Sequence, residues 1–250
     1  MTTRPVAIVT GGARGIGRGC AEALAAAGFD IAVTDLSEEK PLPMPSGGTT
    51  RFYEADMAQV ENHGNLVERI AADFGRIDCL VSNAGRGALV RGDPLDLKPE
   101  NFDTLMGINL KSGIFFTQAV AKWMLAHPDA KAVRSIAVIT SVSAEMVSVP
   151  RVDYCITKAG LAMWVKGLAL RLAKDGIAVF DIRPGVIHSN MSAEAAPMYD
   201  KRIADGLVPA MRWGEPSDIG GVVAALAGGA FHFSTGSIIN VDGGLAIPEL

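Results

Sequence analysis

Short, unbroken runs of β-branched residues alternate along this chain with longer stretches of helical periodicity, and few architectures accept that pattern. The runs are Val6–Thr10, Ile31–Asp35, Arg51–Glu54, Cys79–Ser82, Ile136–Thr140, Ala178–Ile182 and Ser237–Val241. Most lack polar/apolar alternation, so they are expected as strands buried on both faces. Between them, Ile16–Ala27, Val60–Phe74, Phe102–Ala126, Val152–Ala173 and Pro216–Ala227 are expected as helices. Strand and helix in turn build a parallel sheet covered on both sides, a doubly wound α/β fold. With 250 residues, 49% of them hydrophobic and 20% charged, the chain suffices for one large domain. It shows no internal repeat or linker, so residues 1–250 are read as one unit.

Two connections stand out. Leu36–Thr50 reads LSEEKPLPMPSGGTT, and its prolines and glycines predict a loop where a crossover helix is usual. Ser189–Trp213 is expected as a helical lid over a site, the alternative being an ordinary surface helix. A net charge of −4 argues against nucleic acid or an anionic membrane as partner. Cys20, Cys79 and Cys155 have neither CxxC nor metal-ligand spacing and are expected as free thiols in a reducing compartment. The first apolar run is too short for a secretion signal, and no stretch has bilayer-spanning length, so a cytoplasmic protein is expected.

The first run leads into Thr10-Gly11-Gly12-Ala13-Arg14-Gly15-Ile16-Gly17. A strand, a glycine turn and a helix N-terminus form a pyrophosphate site, because the glycines let backbone N–H groups approach the ligand. Gly11, Arg14, Gly15, Ile16 and Gly17 are therefore expected to hold a dinucleotide. The spacing is G-x-x-x-G-x-G rather than G-x-G-x-x-G. A P-loop fails, since Arg18-Gly19 stands where Lys-Ser/Thr is required. Asp35 closes the second run, where a carboxylate can accept from an adenosine ribose; the alternative is a turn or cap residue. It should repel a 2′-phosphate and so favours NAD. Arg14 pulls toward NADP, but Asp35 carries more weight because it reaches the ribose itself.

Tyr154 and Lys158 lie four apart on an expected helix and share a face. A phenol is a poor base at neutral pH, and a nearby ammonium favours its phenolate. Ser141 ends the preceding run, in position to hydrogen-bond a substrate oxygen. Such a Tyr/Lys pair alone is common by chance. With the glycine turn and Ser141, however, it resembles the short-chain dehydrogenases/reductases in their single-domain form. Ser82-Asn83-Ala84-Gly85 is similar to that family's Asn-Asn-Ala-Gly element, with Ser for the first Asn. Asp56, with Met57 beside it, follows the third strand where the family contacts adenine. Asn109 matches the asparagine that supports a proton relay. Pro184-Gly185-Val186-Ile187 matches the element beside the nicotinamide, and Ser189 stands where a threonine is usual.

The resemblance implies a seven-stranded Rossmann-type sheet in the order 3-2-1-4-5-6-7 and a homotetramer. It implies Tyr154 as acid/base, Lys158 on the nicotinamide ribose, Ser141 on the carbonyl and Asn109 on the relay. It implies cofactor contacts from Asp56, Met57, Asn83, Ala84, Gly85, Pro184, Gly185, Ile187 and Ser189. The expected substrate is a small carbonyl or alcohol compound oxidised or reduced with NAD. The alternative is a 3-oxoacyl carrier-protein reductase using NADPH, for which Lys131, Arg134 and Lys174 are candidate docking cations. A catalytically silent dinucleotide-binding regulator is a further alternative, disfavoured because Tyr154 and Lys158 are both present. An epimerase or dehydratase relative would need a longer chain.

No metal site is expected, because His63, His127 and His232 lack partners at ligand spacing. His188 is expected as a solvated loop histidine and Cys155 as a packed thiol. Met191, Met198 and Met211 would give the lid adaptable apolar contacts. Lys122–Arg134 is expected to carry a loop, and the apolar stretch Gly236–Leu250 is a candidate interface.

Overall fold

The computed structural model describes residues 4–129 and 131–248. Strands β1 (Val6–Thr10), β2 (Asp30–Asp35), β3 (Thr50–Glu54), β4 (Cys79–Ser82), β5 (Arg134–Ile139), β6 (Ile177–Pro184) and β7 (Ile238–Val241) form one parallel sheet. Its order is β3-β2-β1-β4-β5-β6-β7, as expected.

The unbroken apolar runs have a direct cause. Alternate residues of a strand face opposite sides, and here both sides are covered. Val6 and Ile8 enter one apolar core, with residues of α2 (His63–Phe74), α4 (Ser112–Ala126) and α5 (Val152–Leu172). Ala7 and Val9 enter the other, with α1 (Gly15–Ala26) and α7 (Pro216–Ala227). Every residue of β1, β4, β5 and β6 is buried. The edge strand β7 is not.

Two expectations need correction. The stretch Phe102–Ala126 is not one regular helix. It begins earlier, as α3 (Pro99–Leu105) with Pro99 in its first turn. It then passes through a π-helical turn at Met106–Lys111 before α4. Second, the fifth strand begins at Arg134 and stops at Ile139, so Ser141 lies beyond it. The loop expected within Lys122–Arg134 does lie between α4 and β5. Lys122–Ala126 continues α4, and Ala130 lies outside the described residues.

Arg134 explains the early start of β5. Its buried guanidinium donates to Met124 O and His127 O, both at 2.7 Å, closing the C-terminal end of α4. It is therefore no docking cation. Burial also pulls its pKa down.

Leu36–Thr50 has no helix, as its prolines demand. Segment 189–213 contains one short 3₁₀ turn, α6 (Ala196–Ala204) and irregular chain after it. Ile203, Val208 and Trp213 form a small apolar cluster of their own there. Of the expected interface stretch Gly236–Leu250, residues 249 and 250 lie outside the described set. Among the described residues, no helix is long and apolar enough to cross a membrane.

Candidate active site

The carboxyl ends of β1 and β4 are stapled together where the strand order reverses. Thr10 Oγ1 accepts from Asn83 N and Ala84 N, both at 2.9 Å. Asn83 Nδ2 donates to Thr10 O at 2.9 Å and to Gly11 O at 3.2 Å. A Cβ on Gly17 would lie 2.1 Å from Gly11 O and 2.6 Å from Asn83 Nδ2. Gly17 thus seats α1 against the turn and does not line the cleft above.

That cleft has two hollows sharing Ile16, Asn83, Gly85, Arg86, Ser189 and Met191. One is lined by Gly11, Arg14, Gly15, Asp35, Asp56, Met57 and Ala84. The other is lined by Ser141, Tyr154, Lys158, Pro184, Gly185 and Ile187. All but two of the expected site residues therefore reach one continuous cleft. The exceptions are Gly17 and Asn109.

The first hollow fits a dinucleotide. Helix α1 has no side-chain cap and no acid in its first turn. Its leading N–H groups are left for an anion. Gly11 and Gly15 adopt φ of +62° and +52°, which bares the backbone there. Asp35 Oδ2 accepts from Ala13 N at 3.2 Å and Oδ1 from Leu36 N at 2.8 Å, so the carboxylate is oriented by the turn. Asp56 Oδ1 accepts from Ala58 N at 2.9 Å. Arg14 Nη1 meets Glu39 Oε1 at 3.1 Å. Glu39, unnoticed in the sequence because it lies in an irregular loop, offsets the one residue there that favoured a 2′-phosphate.

In the second hollow, Tyr154 and Lys158 share the inward face of α5. Lys158 Nζ donates to Ile139 O at 3.0 Å and stands 5.7 Å from the Tyr154 ring centroid. Ser141 caps the 3₁₀ turn Val142–Ala144, its Oγ accepting from Ser143 N at 3.0 Å. Asp153 is buried and accepts from Tyr154 N at 2.8 Å, fixing the first turn of α5.

Asn109 supports the site from behind. It is 1% exposed. Its Oδ1 accepts from Arg86 N and its Nδ2 donates to Arg86 O, both at 2.8 Å. Nδ2 also reaches Thr157 Oγ1 at 3.4 Å, between Tyr154 and Lys158. The π-helical turn carries this asparagine.

Several contributors were invisible in the sequence. Thr140 Oγ1 donates to Asp181 Oδ1, and Arg183 Nε donates to Asp181 Oδ2 at 2.9 Å. Arg183 Nη1 meets Glu145 Oε1 at 2.5 Å and holds that carboxyl below its usual range. This chain of contacts anchors the 142–151 loop to β6. The only sequence signal was two charges inside an otherwise apolar strand. Arg151 places its guanidinium 5.0 Å from the Tyr154 ring centroid and donates to Ser143 Oγ at 3.2 Å.

Ser189 Oγ pairs with Ser192 Oγ at 3.2 Å. Met191 lines both hollows, whereas Met198 and Met211 line neither. His188 is exposed but not simply solvated. It pairs with Glu215 at 2.9 Å and lies 4.5 Å from the Trp213 ring. Cys155 is packed as expected, and all three cysteines are free and buried. Burial pushes the Cys20 and Cys79 thiols up to about 12.

Comparison with known proteins identifies the class. The family profile described as enoyl-(acyl carrier protein) reductase matches residues 11–246. The chain belongs to the short-chain dehydrogenase/reductase family and is an oxidoreductase acting on hydroxyl or keto groups. It is similar to a 2-dehydro-3-deoxy-D-gluconate 5-dehydrogenase of Dickeya dadantii, 34% identical over 96% of this chain and 94% of the relative. It is likewise similar to a 3-oxoacyl-[acyl-carrier-protein] reductase of Synechocystis, 31% identical over 98% of both chains. Among solved structures, it resembles a 3-oxoacyl-[acyl-carrier protein] reductase from Brucella melitensis in complex with NAD. That match has a TM-score of 0.96 and 54% identity over 100% of both chains.

Proposed function

We propose that the chain is an NAD(H)-dependent oxidoreductase interconverting a secondary alcohol and a ketone on a small hydroxylated substrate. The observation that carries this reading is one cleft with the glycine turn at one end and Ser141, Tyr154 and Lys158 at the other. When bound, the nicotinamide supplies or accepts the hydride. Tyr154 Oη gives a proton to the carbonyl oxygen in reduction and takes one from the hydroxyl in oxidation. Lys158 lies beside that ring and holds the nicotinamide ribose. Ser141 Oγ donates to the substrate oxygen and orients it.

Asn109 serves a proton relay to solvent, a role supported by its hold on the Arg86 backbone and its contact with Thr157. Gly11, Arg14, Gly15, Ile16 and Gly17 form the pyrophosphate cradle, with Gly17 shaping it from below. Asn83, Ala84, Gly85, Pro184, Gly185, Ile187 and Ser189 wall the nicotinamide side. Asp56 and Met57 serve the adenine. Asp35 accepts from the ribose and repels a 2′-phosphate, and the Arg14–Glu39 pair supports the choice of NAD.

The 250 residues are read as one catalytic domain of a cytoplasmic homotetramer. Exposed Phe115, Ile156 and Met163 on α4 and α5, with Phe233 and Ile247 near β7, are apolar surface that an assembly would cover. A second reading, 3-oxoacyl carrier-protein reductase, is favoured by the name of the Brucella protein. Burial of Arg134 removes one of its three docking cations.

The test is nicotinamide absorbance with NAD and NADP against secondary alcohols, sugars and 3-oxoacyl thioesters. Turnover with NAD on a small alcohol is expected. Preference for NADP with an acyl thioester would replace this reading with the second. NAD binding without any turnover would point to a silent regulator.

A further inference from the structure

Four arginines line the catalytic hollow: Arg86, Arg91, Arg151 and Arg202. Among the described residues, with Lys158 they are its only charged lining residues, and no aspartate or glutamate lines it. This occurs in a chain with 27 acidic and 23 basic residues, so the bias belongs to the site and not to the composition. Arg86 also borders the dinucleotide hollow and can serve phosphate there. Arg91, Arg151 and Arg202 do not.

These three come from separate segments. Arg91 lies in the loop after β4, Arg151 just before α5, and Arg202 on α6. The first two segments are tied by Gly92 N donating to Pro150 O at 3.0 Å. Among the described residues, none of the three pairs with a carboxylate. Arg151 Nε is buried with no hydrogen-bond partner. Surface arginines elsewhere in the molecule, such as Arg171 and Arg212, have acidic partners. Like charges converging on a hollow without counter-charge repel one another, and an anion relieves that repulsion. A guanidinium fork matches an oxyanion in shape as well as charge.

We propose that the substrate carries an oxyanion, a carboxylate or a phosphate, bound by Arg151 with Arg91 and Arg202 while its alcohol or ketone carbon faces Tyr154. This rests on the oxidoreductase reading above and narrows its substrate class. Arg202 belongs to the 189–213 segment, so substrate charge would draw α6 toward the site.

The test measures NAD reduction on three matched sets: short hydroxy acids, their methyl esters, and hydroxyalkyl phosphates of equal chain length. Calorimetric binding of the acids to the NAD-loaded protein runs alongside. One anionic set should exceed the esters by about 100-fold in kcat/KM, mainly through KM, and the better of acid and phosphate names the source of the charge. Arg151→Gln, Arg91→Gln and Arg202→Gln should each lower the anion-to-ester ratio by about tenfold. Lys122→Gln, on α4 outside the cleft, should leave that ratio unchanged. Esters turned over as well as acids and phosphates would overturn the inference and leave the oxidoreductase reading standing. No turnover of any set would overturn both.

Discussion

At the end of the cleft beside the glycine turn, Asp35 and Asp56 line the hollow, and Arg14 is held by Glu39. At the end holding Ser141, Tyr154 and Lys158, Arg91, Arg151 and Arg202 line the hollow, with no carboxylate among its described lining residues. Both ends sit at carboxyl ends of strands in the same parallel sheet, one over β1 to β4 and the other over β4 to β6, so strand direction does not set the difference. It is set by the connections: a proline-rich loop supplies Glu39, and the loop after β4 with the segments around α5 and α6 supplies the arginines. The fold fixes where the cleft lies, and the loops give its two ends opposite charge.

The largest expected break in this contrast comes from chemistry, not charge. Tyr154→Phe should cut kcat by about 10²–10⁴-fold while NAD affinity, followed by fluorescence quenching, stays within about threefold. A variant that keeps its kcat would remove Tyr154 as the acid/base. Next, Gly17→Ala should disturb the dinucleotide end alone. A Cβ there meets backbone, which cannot retreat, so a loss of about 1–3 kcal/mol is expected in urea unfolding. Weakened NAD binding should accompany it. Normal stability would mean that the turn has more slack than a 2.1 Å contact allows.

Asp35→Ser sharpens the comparison by removing the acid from one end. The ratio of kcat/KM for NADP over NAD should rise about tenfold, equivalent to about 1.4 kcal/mol. An unchanged ratio would shift cofactor choice onto Arg14 and Glu39.

The smallest effect lies outside both ends. His63 is buried against Phe116, and burial holds its pKa below the ordinary value. The unfolded chain takes up that proton near pH 6.5 and the native chain does not. Stability is then full above about pH 6.5 and declines as pH falls through it, by at most about 1.4 kcal/mol per pH unit. His63→Gln should flatten this slope in thermal melts between pH 7 and 5, without changing cofactor preference.

Much of the fold was legible because parallel strands buried on both faces write unbroken apolar runs. Tyr154, Lys158 and Ser141 were legible because helical spacing and chain order constrain them. The arginines were not, since nothing in a sequence separates an arginine over a cleft from one in solvent. Arg134 was misjudged for a related reason. A long cationic side chain reads as surface until a helix end is seen to need a donor. The Arg14–Glu39 pair spans a loop whose path no periodicity records.

The π-helical turn at Met106–Lys111 works as a phase step. An α-helix advances about 100° per residue. The wide turn lets α3 and α4 each keep an apolar face while Asn109 is aimed at Arg86. Removing one residue there would restore unbroken phase and swing the amide away from that backbone.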